Sequence, residues 1–120
     1  MIDKRKKIGD YGENIAVGYL KEMGYEILET KYKKGSSEID IIARDGGYTV
    51  FIEVKHRQNL EFGYPSESVG RSKQKSIIRA ANHYIYENRL EDCDFRFDVF
   101  EIFGRETIDV NHIINAFITG

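Results

Sequence analysis

A chain of 120 residues with net charge −2, 41% hydrophobic and 32% charged, has the length and composition of a single globular domain covering residues 1–120. Its one cysteine, Cys93, excludes an internal disulfide and a cysteine-built zinc site. No apolar run approaches the roughly 20 residues a bilayer requires, and none follows the basic stretch Met1–Lys7 as a secretory leader would, so the expected location is the cytoplasm, away from membranes.

Taken in chain order, Ala16, Tyr19, Leu20 and Met23 recur at helical spacing within Ile8–Met23, and Gly24 follows where a left-handed residue commonly ends a helix. Tyr25–Tyr32 reads as a strand with Tyr25, Ile27 and Glu29 on one face, and Lys33–Ser37 as a turn. Glu38–Ala43 and Tyr48–Lys55 are two β-rich runs joined through Asp45-Gly46-Gly47, which is good hairpin-turn chemistry because glycine reaches positive φ without a steric cost. His56–Gly70 is polar and reads as a loop. Ser72 is the expected N-cap of a helix to about Asn88, with Ile77, Ile78, Ala81, Tyr84 and Ile85 as its buried stripe. Arg96–Phe103 and Thr107–Val110 read as strands about a Gly104-Arg105 turn, and the apolar stretch Ile113–Ile118 is too short to assign. Hairpins mixed with crossing helices predict an α/β fold with a mixed sheet flanked by helices.

Charge is unevenly distributed. Residues 55–79 carry six Lys/Arg against two acids, whereas residues 80–120 carry three against eight. A basic middle beside an acidic C-terminal third suggests that one face meets an anion.

The hairpin holds the residues with chemical consequences. If Gly46-Gly47 form a two-residue turn, Asp45 pairs with Tyr48, Ile42 with Phe51, Asp40 with Glu53 and Glu38 with Lys55, all on one face. Opposed residues have Cβ atoms about 4.5–5.5 Å apart, and two carboxylates so placed repel by on the order of 0.2–1 kcal/mol. Burial raises that cost. A hard divalent cation, Mg²⁺ or Mn²⁺, would relieve it, with the backbone carbonyl of Val54 as a further oxygen. Lys55 would then hold or deprotonate a water, or stabilise charge on a phosphate. At about 100° per residue, Glu13 points with Ala16, Val17 and Leu20 towards the core, where a glutamate is uncommon unless paired or ligating. Each residue alone has an ordinary reading, such as an exposed Glu38–Lys55 pair; together they favour a functional, metal-assisted site. Lys73 and Gln74, at the start of the second helix, are further candidates to touch a phosphate or its water, the alternative being an ordinary helix surface. His56, His83 and His112 share no ligand spacing and Cys93 sits among acids that leave its thiol unactivated, while Asp98 reads as structural.

Gly9-Asp10-Tyr11-Gly12-Glu13, Gly24-Tyr25-Glu26-Ile27-Leu28, Ser37–Ala43, Val50–Arg57, Ser72-Lys73-Gln74 and Arg96-Phe97-Asp98-Val99 resemble the YraN-type family of predicted endonucleases, within the PD-(D/E)XK superfamily of restriction-endonuclease-like and Holliday-junction-resolvase-like folds. The resemblance implies a restriction-endonuclease-like mixed sheet and a divalent-metal-dependent DNA endonuclease acting on branched or damaged DNA in repair or recombination. Asp40 and Glu53 become metal ligands, Lys55 the water-activating or charge-stabilising residue, and Glu13 the helix-borne acid. Arg57, Arg71, Lys73, Gln74 and Lys75 would contact nucleic acid, and a homodimer would cut two strands. Ile39 stands where the superfamily name has proline, and Ser37 where the family has glycine; the metal-site residues are intact. The alternative is a non-catalytic DNA-binding accessory protein that keeps the fold.

Overall fold

Strands apolar on both faces and two helices with separate apolar stripes require a sheet covered on each side. The structure, a computed structural model, describes residues 4–57, 69–104 and 106–117, with the backbone alone for residues 4–10. The elements are α1 (Lys4–Glu22), β1 (Glu26–Lys34), β2 (Ser37–Asp45), β3 (Tyr48–Arg57), α2 (Arg71–Glu87), β4 (Asp94–Phe103) and β5 (Asp109–Phe117). The strands lie side by side in the order β1-β2-β3-β4-β5, all neighbours antiparallel except the parallel pair β3–β4. Among the described residues this is a mixed α/β fold of two helices on a five-stranded mixed sheet, compatible with a restriction-endonuclease-like architecture. No described helix is long and apolar enough to cross a membrane.

Each helix covers one face. Ala16 and Leu20 of α1 pack on Ile41, Ala43, Val50, Ile52, Phe100 and Ile102. Ile77, Ala80, Ala81, Tyr84 and Ile85 of α2 pack on Ile39, Ile42, Phe51, Phe97 and Val99. A fully buried Leu, Ile or Phe side chain contributes about 1.5–3 kcal/mol. Gly24 ends α1 at φ +92, with Tyr25 N–H donating to Leu20 O at 2.9 Å and Gly24 N–H to Lys21 O at 3.0 Å, the paired bonds of a left-handed helix end. The same bonds close α2, from Leu90 N–H to Ile85 O and Arg89 N–H to Tyr86 O, but there Arg89 occupies the left-handed position at φ 55.

The hairpin register is the expected one from Asp45↔Tyr48 to Ile41↔Ile52. Four readings are corrected. Gly70, not Ser72, caps α2, and having no side chain it makes no cap bond; Gln74 Nε2 donates to Val69 O at 2.7 Å. His56 and Arg57, expected in a loop, continue β3 opposite Ile102 and Phe103; residues 58–68 of that loop lie outside the described residues. A register shift between Ile27 and Glu29 separates Glu29 from Ile27, which packs on the α1 side. Residues 113–117 of the apolar tail are part of β5, which runs past Val110 to Phe117, and Ile118 lies outside the described residues; a register shift opposite Phe97–Val99 and Asn115 at φ 60 disrupt its period-two pattern.

That last irregularity serves Asp98. Asn115 N–H donates to Asp98 Oδ1 at 2.9 Å, Arg96 Nε to the same oxygen at 3.1 Å, and His112 Nε2 lies 2.7 Å from Oδ2. Arg96 also donates to Tyr25 Oη at 2.6 Å and Asp45 Oδ2 at 3.1 Å. Burial pushes the Asp98 carboxyl up, but the bonds from His112, Asn115 and Arg96 outweigh it and hold it below its ordinary value. Asp98 is therefore structural, as its sequence context suggests.

Two outcomes follow. Asp98→Ala leaves Arg96 buried without its main partner and is expected to cost on the order of 3–5 kcal/mol in urea unfolding at pH 7. Because the folded carboxyl titrates below the unfolded one, the part of that contribution that depends on its charge is complete above about pH 4 and is lost as pH falls through the lower folded value. Arg89→Gly, by removing a side chain from a left-handed position, should raise stability by about 0.5–1 kcal/mol in the same measurement; a loss would show that Arg89 makes a contact outweighing its backbone strain.

Candidate active site

β2 and β3 separate just beyond Ile41↔Ile52. Strand alternation also breaks there, since Ile39 and Ile42 pack on the α2 side while Ile41 and Ala43 pack on the α1 side, leaving Asp40 as the residue between the two patterns. On β1, Thr30↔Ile41 and Tyr32↔Ile39 flank the position opposite Asp40, and the residue there, Lys31, has φ 53. The irregularity thus crosses two neighbouring strands.

Asp40 is not laddered against Glu53. Its Oδ2 accepts the backbone N–H of Val54 at 2.8 Å, turning the carboxylate into the gap that β2 leaves. The N–H and C=O of one residue in an extended strand face the same edge, so the Val54 carbonyl is also directed to that gap. Glu53 and Lys55 alternate with Val54 and lie on the α2 side with Phe51. Glu53 is 6% exposed. Its Oε1 lies 3.8 Å from Lys55 Nζ and 3.7 Å from Lys73 Nζ, whereas Oε2 is buried without a hydrogen-bond partner.

Burial, and then the Asp40 charge beside it, pushes the Glu53 carboxyl up to about 7, against the opposing pull of Lys73 and Lys55. Burial likewise raises Asp40, although the Val54 N–H works in the other direction. Two carboxyl groups pushed up by burial, Glu53 also by the charge of Asp40 and with one orphaned oxygen, form a hard-oxygen donor set. Among the described residues no three His, Cys, Asp or Glu side chains converge on one point. Asp40, Glu53 and the Val54 carbonyl could hold a hard divalent cation such as Mg²⁺, an ion usually bound by one or two carboxylates with water and substrate phosphate completing the shell.

The other expected residues divide clearly. Lys73 joins the site because α2 is anchored there, by Gln74 to Val69 O and by Ser76 Oγ to Ser37 Oγ at 2.8 Å. Gln74 is thus engaged in holding the helix start. Glu13 belongs to α1; its carboxylate lies 3.8 Å from Lys31, and the preceding Gly12 packs over Val54 and His56 at the same end of the sheet. Arg71 and Lys75 are exposed on the first turns of α2, and Arg57 is half-buried at the end of β3.

One residue of this face was not anticipated. Glu101 is fully buried, in parallel register with Lys55; Oε1 accepts from Asn111 Nδ2 at 2.9 Å and Oε2 has no partner. Burial raises its carboxyl, against Arg57. The signal was a lone acid in the alternating series Phe97, Val99, Glu101, Phe103.

Fold and site define a small α/β protein with a buried acid–lysine centre at an opening in its sheet. Residues 12–102 match the family described as Uncharacterised protein family UPF0102, and the chain belongs to it. UPF0102 proteins of Clostridioides difficile (48% identical, covering 93% of this chain and 97% of the relative), Caldicellulosiruptor saccharolyticus (42%, 94% and 98%) and Syntrophotalea carbinolica (41%, 98% and 96%) are similar along nearly their whole lengths.

The raised Glu53 carboxyl has a measurable effect on the metal-free protein. The folded state holds a proton to about pH 7 that the unfolded state releases near pH 4.5, so stability should fall between those values, by on the order of 3 kcal/mol. Glu53→Gln should remove this fall in urea titrations at pH 5 and pH 8. An unchanged pH dependence in the variant would assign the proton elsewhere.

Proposed function

We propose that this protein is a divalent-metal-dependent DNA endonuclease of the PD-(D/E)XK type, hydrolysing phosphodiester bonds. The observation that carries the reading is the buried Glu53 beside the half-buried Asp40 at the gap between β2 and β3, with Lys55 and Lys73 both directed at Glu53. Two acids and two lysines packed this closely have little value as a structural device. The fully bonded Arg96–Asp98 network shows how the same fold treats charges it buries for stability.

Asp40, Glu53 and the Val54 carbonyl would hold Mg²⁺ or Mn²⁺, which when bound polarises a phosphoryl oxygen and lowers the pKa of water. The remaining work falls to the chain. Lys55, a quarter exposed and fixed between Glu53 and the solvent, supplies positive charge where a phosphate gains negative charge. Lys73 brings a second cation to the same carboxylate from across the helix–sheet junction. Arg57, Arg71 and Lys75 lie at the same end of the fold and would bind neighbouring phosphates without reading sequence. The family resemblance points to branched or damaged DNA in repair or recombination, with two copies of the chain acting on two strands.

The test is cleavage of labelled duplex, single-stranded, flap and four-way-junction DNA with Mg²⁺ or Mn²⁺, comparing wild type with Lys55→Ala. Wild type should cut at least one substrate, and the variant should lose on the order of 100-fold or more in rate while still binding DNA. If neither protein cuts any substrate but both bind, the accessory-protein reading replaces this one.

A further inference from the structure

The outer face of α2 continues beyond the phosphate contacts already given to Arg71 and Lys75. Arg71, Lys75 and Arg79 recur at i, i+4 and i+8, all exposed, on the side opposite the buried Ile77, Ala81 and Tyr84. No acid occurs between Arg71 and Tyr86. Beyond Arg79 the character of the stripe changes. Arg79, Asn82, His83 and Tyr86 line a surface hollow of about 350 Å³. Tyr86 is 75% exposed, the most exposed large apolar side chain among the described residues. Its ring lies on the outer face of a well-packed helix, where it adds nothing to the core.

We infer that this hollow binds an unpaired nucleotide, so that the protein takes nucleic acid with a single-stranded segment running along α2. The inference deepens the nuclease reading and rests on it. An aromatic face, a second ring at His83, an amide at Asn82 and a guanidinium at Arg79 are the groups that stack a base, bond its edge and neutralise its phosphate. A base within a duplex has both faces occupied by its neighbours, so Tyr86 can stack only on one that is unpaired. The helical rise places Tyr86 about 20 Å along the axis from Lys73, a span of several nucleotides from the acid–lysine centre. A second copy of this chain is the less suitable occupant. In a two-fold contact the stripe would meet itself, bringing Arg71, Lys75 and Arg79 against like charges.

The experiment is fluorescence anisotropy with a labelled single strand and a blunt duplex of the same sequence, in EDTA, at two salt concentrations. Wild type should bind the single strand more tightly than the duplex. Tyr86→Ala should weaken single-strand binding on the order of 10-fold or more and leave duplex binding within about two-fold, while Tyr86→Phe keeps both. Arg71→Ala and Lys75→Ala should weaken both and reduce the salt dependence. If wild type binds neither nucleic acid, the nuclease reading fails and this inference with it. If both are bound but Tyr86→Ala changes neither, the inference alone is overturned. It is equally overturned if Tyr86→Ala alters only the oligomeric state in light scattering, since the hollow would then belong to a contact between copies.

Discussion

The feature on which the rest of this structure depends is the mutual repulsion of two partly desolvated carboxylates where β2 parts from β3. A regular ladder would set Asp40 directly across from Glu53, both flat against α2 with no donor between them. Instead the alternation breaks at Asp40, Lys31 adopts a left-handed backbone in the adjacent strand, and the Asp40 carboxylate takes the Val54 N–H. The Val54 N–H, the Glu53 carboxyl and the Lys73 charge do not offset the burial of Asp40, so both acids remain above their ordinary values. The pair persists because the surrounding core over-determines the backbone: Ile39, Ile42 and Phe51 are locked under α2, and Ile41 and Ile52 under α1.

The two ends of the sheet treat buried charge in opposite ways. At the hairpin-turn end, Arg96 and Asp98 share Tyr25, Asp45, His112 and the Asn115 N–H, so every charge has a partner and the network ties the α1–β1 connection, the hairpin, β4 and β5 together. At the other end, Glu53 and Glu101 each retain an unbonded buried oxygen on the α2 face, with Lys55 between them in register. Satisfied networks rigidify a fold, whereas unsatisfied acids beside cations are poised to accept something else. The fully bonded end holds the hairpin in place while the other end leaves its acids unsatisfied.

α2 links this strained end to the outside. Its apolar stripe fixes its rotation on the sheet, its start is tied to Val69 and Ser37, and that placement brings Lys73 to Glu53 while leaving Arg71, Lys75 and Arg79 outward. One helix thereby contributes core, a cation at the acidic centre and a basic outer track. A net charge of −2 conceals this, because the compensating acids lie mainly in the C-terminal third.

Local chemistry made much of this legible in the sequence. Period-two alternation and the Gly46-Gly47 turn set the hairpin register, Gly24 marked the end of α1, and same-face placement of Glu53 and Lys55 follows from spacing alone. The stripe on α2 identified its buried side, with Ala80 in place of the half-buried Ile78. What spacing cannot supply is which elements share a face, because a period fixes the direction of a side chain only relative to its own strand or helix. Lys73 meeting Glu53, Glu101 lying beside Lys55, Glu13 reaching Lys31, and the assembly of Arg96 with residues 25, 45, 98 and 112 all depend on packing between distant segments. The displacement of Asp40 from its ladder position has the same origin. Only when β1, β2 and β3 are in place does the repulsion between two carboxylates compete with backbone pairing, and there the Val54 N–H decides the outcome.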